Sequence, residues 1–175
     1  MRLLGEFDRV GEERRRGRAL ERQAVRAILP EPGSRRLLLV HSAAGADYKF
    51  PGGGMQPGET HTQTLGRELL EECGVELAEL GEPFGRVIEH NLPRETDLDV
   101  FRMTSYYYLC RIGTGRHPLQ LDEYERALGF SPEWIDIDAA IAVNRLSLRI
   151  PADKPRYTER ETFVLERVRR QIFGP

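Results

Sequence analysis

Gly53-Gly54-Met55-Gln56-Pro57-Gly58-Glu59, then Thr60 to Gly66, then Arg67-Glu68-Leu69-Leu70-Glu71-Glu72-Cys73-Gly74-Val75, is the stretch that decides how the chain is read. Pro51-Gly52-Gly53-Gly54 interrupts regular structure ahead of it. Thr60 is a good helix N-cap, and Gln63 three residues on completes a capping box. Gly74 is placed to end the helix in a left-handed conformation. Between them Leu65, Leu69 and Cys73 recur at four-residue spacing and give an apolar stripe. Gly66 sits mid-helix at a cost of about 1 kcal/mol relative to Ala; close packing against backbone would account for it. Glu68, Glu71 and Glu72 stand at i, i+3 and i+4, neighbours on one face with Cβ atoms about 5–6 Å apart. Three such carboxylates tolerate solvent, but they also suit a hard cation, since carboxylate oxygens are what Mg²⁺ prefers and Mg²⁺ brings phosphate oxygens with it. The glycines let backbone approach a ligand, and carbonyls there can add metal ligands. Glu59 and Arg67 can pair, and Arg67 is placed to orient the carboxylates.

Working outward, Met1 to Phe7 reads as an edge strand, and Arg14 to Arg18 as a solvated basic run. Ala24 to Leu29 and Leu37 to Val40 read as two strands of a hairpin joined at Glu31-Pro32-Gly33-Ser34. After the helix come strands over Phe84 to Glu89 and Phe101 to Ile112, with a polar loop, Asn91 to Asp99, between them. Alternation puts Tyr107 on the opposite sheet face from Tyr106 and Tyr108. Trp134 to Ile137 is another strand candidate. Asp138 is placed to cap a helix from Ala139 to about Asn144. Thr158 to Phe173 reads as an amphipathic helix, with Thr158 as cap and Glu161 at N3. This order predicts an α+β fold, a sheet covered by helices.

The composition agrees. The 175 residues are 39% hydrophobic and 31% charged, with 26 basic and 28 acidic side chains. That suits one ordinary globular domain and supplies no global basic field for nucleic acid. No apolar run is long enough to span a membrane. The first twenty residues lack an apolar secretory core. Two cysteines, Cys73 and Cys110, make no disulfide framework, so both read as structural and a reducing cytoplasm is expected.

The spacing Gly, five residues, Glu, seven residues, Arg-Glu-apolar, one residue, Glu-Glu, one residue, Gly-apolar is that of the Nudix box, and residues 53 to 75 match every specified position. At ordinary residue frequencies a chance match in the chain is roughly one in 10⁷. The chain therefore resembles the Nudix (MutT-like) hydrolases. The resemblance implies an α/β/α sandwich, a mixed β-sheet between helices, in one domain over residues 1–175. Its core would cover about 20–145 and its C-terminal helix about 158–173. It implies a metal-dependent hydrolase, using Mg²⁺ or Mn²⁺, that cleaves the diphosphate of a nucleoside diphosphate linked to another group X. Glu68, Glu71 and Glu72 resemble the metal-binding carboxylates, Gly52 or Gly53 the carbonyl ligand, and Glu59 and Arg67 the supporting pair.

Such a reaction needs a carboxylate to position or deprotonate water. Glu71 and Glu72 are candidates on the helix. Glu123 and Glu125, in a region from which relatives supply a base or further ligand, are the others; otherwise Asp122 to Glu125 is a solvated acidic turn. Lys49 is a candidate phosphate contact and Phe50 a candidate base-stacking ring, set against a core Phe50 and an exposed Lys49. Arg86 and Arg94 are candidates for an anionic substrate. The expected partner is a small nucleoside diphosphate derivative, with no membrane and no nucleic acid. A homodimer rests on analogy alone. The rivals are a non-catalytic nucleotide-binding module and a hydrolase of RNA 5′ ends, which would want a basic path for the strand. An isomerase on the same fold would need a catalytic cysteine, and Cys73 lies on the apolar stripe.

Overall fold

Thr60 and Gln63 do what their spacing predicts. In the computed structural model, which describes residues 1–150 and 157–174, the Thr60 hydroxyl accepts from the Gln63 amide. The Gln63 side chain in turn accepts from the Thr60 amide at 2.8 Å. The helix runs His61–Cys73 and ends at Gly74 in the left-handed region, φ 63°. Leu65 and Leu69 are fully buried and Cys73 nearly so. Gly66 departs from expectation: a Cβ there would meet nothing within 4 Å, so close packing does not explain it. Gly66→Ala should therefore raise stability by about 1 kcal/mol in urea unfolding; no gain would mean that Gly66 serves something the packing does not reveal.

The elements in chain order are β1 (Leu3–Asp8), a helical turn α1 (Glu12–Arg15), β2 (Ala19–Ile28), β3 (Arg36–Ser42), β4 (Asp47–Lys49), β5 (Gly52–Gly54), α2 (His61–Cys73), β6 (Leu77–Asn91), β7 (Val100–Ile112), α3 (Glu123–Leu128), β8 (Phe130–Asp136), α4 (Ile137–Ser147) and α5 (Tyr157–Val168). A π-helical turn over Arg169–Phe173 extends the last helix. A five-stranded mixed sheet has the order β1-β6-β7-β2-β5, and a three-stranded sheet has the order β4-β3-β8. β2 runs parallel to β7 and antiparallel to β5.

Alternation along β2 splits the interior in two. Val25, Ala27 and Leu29 face Leu65 and Leu69 of α2. Ile28 joins Tyr107, Phe50 and the apolar residues of α4 and α5 on the other side. Tyr106 and Tyr108 pack in the α2 core and Tyr107 in the other, as alternation predicts. The sheet thus lies between helix layers, the expected α/β/α arrangement. Among the described residues no helix is long and apolar enough to cross a membrane.

Several expectations are corrected. β2 and β3 meet at their turn, where Leu38 donates to Leu29 at 3.0 Å, but then enter different sheets. Their side-chain alternation serves both cores, which a shared hairpin would not require. The glycine run is strand β5, not a break, because glycine carbonyls and amides pair with β2 as well as any others do. Asp136, not Asp138, caps α4, accepting from the Asp138 and Ala139 amides. Thr158 lies within α5, and its hydroxyl donates to Asp47 at 2.5 Å. Glu161 is wholly buried, not a solvated capping residue. The acidic turn is a short helix: Asp122 and Glu125 form a reciprocal capping box.

Candidate active site

β5 passes close over α2, and glycine makes that approach feasible. A Cβ at Gly53 would lie 2.4 Å from the Glu68 carboxylate. At Gly52, φ is 127° and a Cβ would lie 2.1 Å from the Val25 carbonyl oxygen. The strand is pinned by charge. Arg67 donates from Nε to Glu59 at 2.8 Å, from Nη1 to Glu68 at 2.6 Å and to Glu71 at 3.1 Å, and from Nη2 to the Gly54 carbonyl at 3.1 Å. Glu59 also accepts from the Gln56 amide and the Thr64 hydroxyl. The Arg67 guanidinium, followed by the Gln56 amide, holds the Glu59 carboxyl down at about 2. The Glu59–Arg67 pair therefore forms, and it ties helix to strand.

Glu68, Glu72 and Glu125 bring carboxylate oxygens within 4.8 Å of one another. Glu72 is 1% exposed and Glu68 is buried. Burial pushes the Glu68 carboxyl up, and the charge of Glu72 adds to the effect. Burial likewise raises Glu125, with Glu72 and Asp122 adding repulsion, to about 7. An all-oxygen set of crowded carboxylates, two of them pushed up by burial and a neighbouring charge, fits a hard divalent cation, which would relieve the repulsion.

Lys49 supplies the counter-charge that the protein itself provides. Its Nζ donates to Glu72 at 2.5 Å and to the Gly52 carbonyl at 3.3 Å, and it lies 5.0 Å from the Phe130 ring centroid. The other Glu72 oxygen accepts from the Gly52 amide at 2.8 Å. Arg26 also donates to the Gly52 carbonyl, at 2.5 Å. That carbonyl therefore faces two cationic donors, a poor setting for a metal ligand and a correction to its candidacy beside Gly53.

Of the remaining candidates, Glu71 turns to Arg67 rather than to the carboxylate cluster. Glu123 is exposed and outside the cluster. Lys49 is 7% exposed and committed to Glu72, so it does not face solvent as a phosphate contact. Phe50 is a core ring, 5.5 Å edge-to-face from Tyr107, and offers no platform for a base. Arg86 lies on β6, three strand positions from β5 in the sheet order, and is not brought to the site. Cys73 and Cys110 are free and buried, and burial raises both thiols, Cys110 to about 12.

Arg94 does border a cleft at the Gly54 end of β5, with a volume of about 740 Å³. The cleft is lined by Arg22, Gly54, Phe101, Met103 and Tyr124 among others. None of these except Gly54 was singled out in the sequence. Leu20 and Arg22 share a strand face, which is legible only once β2 is known to begin at Ala19.

The sequence model described as the NUDIX domain matches residues 20–159. The RNA pyrophosphohydrolase of Legionella pneumophila is 30% identical over 97 residues, covering 51% of this chain and 55% of that protein. The chain thus spans about half the length of the curated relatives it matches. The NUDIX hydrolase from Nitrosomonas europaea superposes with a TM-score of 0.54 at 22% identity, over 75% of this chain and 82% of that one. The MutT NUDIX hydrolase from Burkholderia pseudomallei gives a TM-score of 0.51 at 17% identity, over 82% and 96%. At these identities the two structural likenesses speak to the fold.

Proposed function

The chain belongs to the NUDIX family, and from its site we propose that it hydrolyses the phosphoanhydride of a nucleoside diphosphate linked to another group, using Mg²⁺ or Mn²⁺. The observation that carries this reading is the gathering of Glu68, Glu72 and Glu125 oxygens within 4.8 Å, beside a glycine strand that backbone and ligand can both approach. In this proposal these three carboxylates, with the Gly53 carbonyl, hold the metal. The ion supplies stabilisation of the charge that builds on the phosphoryl oxygens.

The chain's own groups do the rest. Arg67 and Glu59 fix α2 against β5, so the ligand oxygens are set before substrate arrives. Lys49 pairs with one oxygen of the buried Glu72, and the Gly52 amide donates to the other, so the carboxylate is held in one orientation. Glu125, raised to about 7 without a cation, is the ligand carboxyl whose proton the cation displaces near neutral pH. Glu71 stands outside the cluster as a partner of Arg67. The retention of every box carboxylate weighs against a non-catalytic binding module.

A reading as an RNA 5′-end pyrophosphohydrolase draws on the match to the Legionella protein. The basic run offers it little: Arg15 pairs with Glu6 and Arg16 with Glu12, which interrupts a track for a phosphate backbone. The small-molecule reading therefore comes first. Its test is product release from nucleoside triphosphates, ADP-ribose, nucleotide sugars, dinucleoside polyphosphates and a 5′-triphosphorylated RNA, with metal and with chelator. Metal-dependent cleavage of a small diphosphate supports it, and cleavage confined to RNA replaces it with the second reading. No cleavage from a folded, metal-binding chain rejects hydrolysis.

Glu125 gives this reading a pH dependence. Its folded pKa, about 7, lies above the ordinary carboxylate value of about 4.3. Its contribution to stability is thus fully present below the unfolded value and is lost as pH rises through about 7. Metal binding should reverse that loss and expel a proton. Mn²⁺ titrations by calorimetry in buffers of different ionisation heat should show proton release at pH near 6.5, and affinity should rise between about pH 6 and 8. Affinity flat over that range would remove Glu125 from the ligand set.

A further inference from the structure

The cleft at the Gly54 end of β5 has a chemistry of its own. Arg22 on β2 stands opposite Met103 on β7, and Phe101 lies two residues along the same face. Arg94 enters from the loop between β6 and β7. Tyr124, 61% exposed, is the chain neighbour of Glu125. The cleft thus meets the box at Gly54, whose carbonyl accepts from Arg67, the residue that also holds Glu68. Register fixes its depth: Ala24 opposes Gly54, so Arg22 lies two residues, roughly 7 Å, further along β2, and Phe101 roughly 13 Å. Its volume, about 740 Å³, falls within the roughly 300–1,000 Å³ of small-molecule sites.

The charges are the informative part. Arg9, Arg15, Arg67 and Arg102 are each tied to carboxylates. Arg22 and Arg94 are exposed, and among the described residues neither guanidinium has a hydrogen-bond or ion-pair partner. Glu95 lines the same cleft and offsets one positive charge. Guanidinium groups match phosphate oxygens bidentately, and exposed aromatic and thioether surfaces receive planar rings.

We propose that this cleft seats the nucleotide half of the substrate, with its base against Phe101, Met103 and Tyr124 and a phosphate outside the cleaved anhydride held by Arg22 and Arg94. The proposal rests on the hydrolase reading above and narrows it. The substrate class becomes small nucleotides with more than two phosphates in line, such as nucleoside triphosphates or dinucleoside polyphosphates. ADP-ribose and nucleotide sugars carry no phosphate beyond the anhydride, so they leave the two arginines unused.

The test is equilibrium binding to the intact chain, with Ca²⁺ and with chelator, of ATP, diadenosine tetraphosphate, ADP-ribose and a 5′-triphosphorylated oligoribonucleotide. ATP and the tetraphosphate should bind at least about tenfold more tightly than ADP-ribose. Arg22→Ala and Arg94→Ala should each remove about tenfold from the first two and leave ADP-ribose unchanged. Equal affinities in the unsubstituted chain, or losses shared equally by ADP-ribose, would overturn the proposal. So would an oligonucleotide binding more than about tenfold tighter than ATP, which would lay a nucleic acid strand along the cleft. Because the readout is binding, the two readings fail separately. Discriminating binding without turnover rejects hydrolysis alone, and efficient hydrolysis confined to ADP-ribose rejects the cleft assignment alone.

Discussion

Glu72→Gln should lower metal-dependent turnover by about 10²- to 10⁴-fold and weaken Mn²⁺ binding in parallel. Glu72 is central by position: 1% exposed, one oxygen on Lys49, the other on the Gly52 amide, and within 4.8 Å of Glu68 and Glu125 oxygens. The amide keeps shape and acceptor capacity but surrenders the charge that a cation and Lys49 both use. From the sequence alone, with Glu72 on a solvated acidic face, the variant is expected to fold undisturbed. The structure changes that expectation. Lys49 would be left as a nearly buried ammonium without its counter-charge, at a cost of about 1–3 kcal/mol. A companion variant separates the two effects: Lys49→Met combined with Glu72→Gln should recover most of the lost stability in urea unfolding and none of the turnover. Near-normal turnover in Glu72→Gln would take Glu72 out of the centre. Recovered turnover in the double variant would reduce its role to neutralising Lys49.

What sequence reasoning reached, and what it missed, follows from the range of each signal. The α2 helix, its capping box, its Gly74 terminus and its Leu65–Leu69–Cys73 stripe are local features, and each is found in place. The Glu59–Arg67 pair was legible because both partners lie within one continuous turn-and-helix segment. Glu125 lies 53 positions beyond Glu72, and it joins the cluster only because the chain crosses β6 and β7 before α3 returns over the site. Spacing could name that region but could not separate Glu125 from Glu123. Lys49 was misjudged for the same reason. Its local sequence suggests an exposed contact, whereas β4, packed on α4 and α5, ends at Lys49 and brings it to Glu72 of α2. The cleft was the least legible feature, since it is assembled from six separate segments, only three of them strands of one sheet.

The heaviest loss of stability should come from α5, outside the carboxylate cluster. Glu161 is fully buried and accepts from the Phe50 amide at 2.9 Å, from the Tyr107 hydroxyl at 3.1 Å, and from Arg160 Nε and Nη2 at 2.9 and 2.6 Å. Arg26 lies 3.7 Å away, and Arg160 also bonds Glu89. Glu161→Ala would leave buried Arg160 with Glu89 alone and remove the carboxylate that Arg26 faces, at a cost of about 3–5 kcal/mol. Phe50 and Arg26 lead directly to the Gly52 carbonyl, so the same change should loosen β5 and weaken Mn²⁺ binding as well. Acid supplies the sign. Burial raises the Glu161 carboxyl, but Arg160, Arg26 and the Phe50 amide outweigh it and hold the group below its ordinary value. Its contribution is therefore present above the unfolded value, about 4.3, and is lost as pH falls through the lower folded one. The gap between the unsubstituted chain and Glu161→Ala should be full at neutral pH and close in strong acid. Replacing the pair together, Arg160→Met with Glu161→Leu, should cost less than Glu161→Ala alone, because an apolar pair leaves fewer unpaired charges. A single-variant cost below about 1 kcal/mol at neutral pH would show that Arg160 and Arg26 find other partners, and that α5 does not brace the glycine strand.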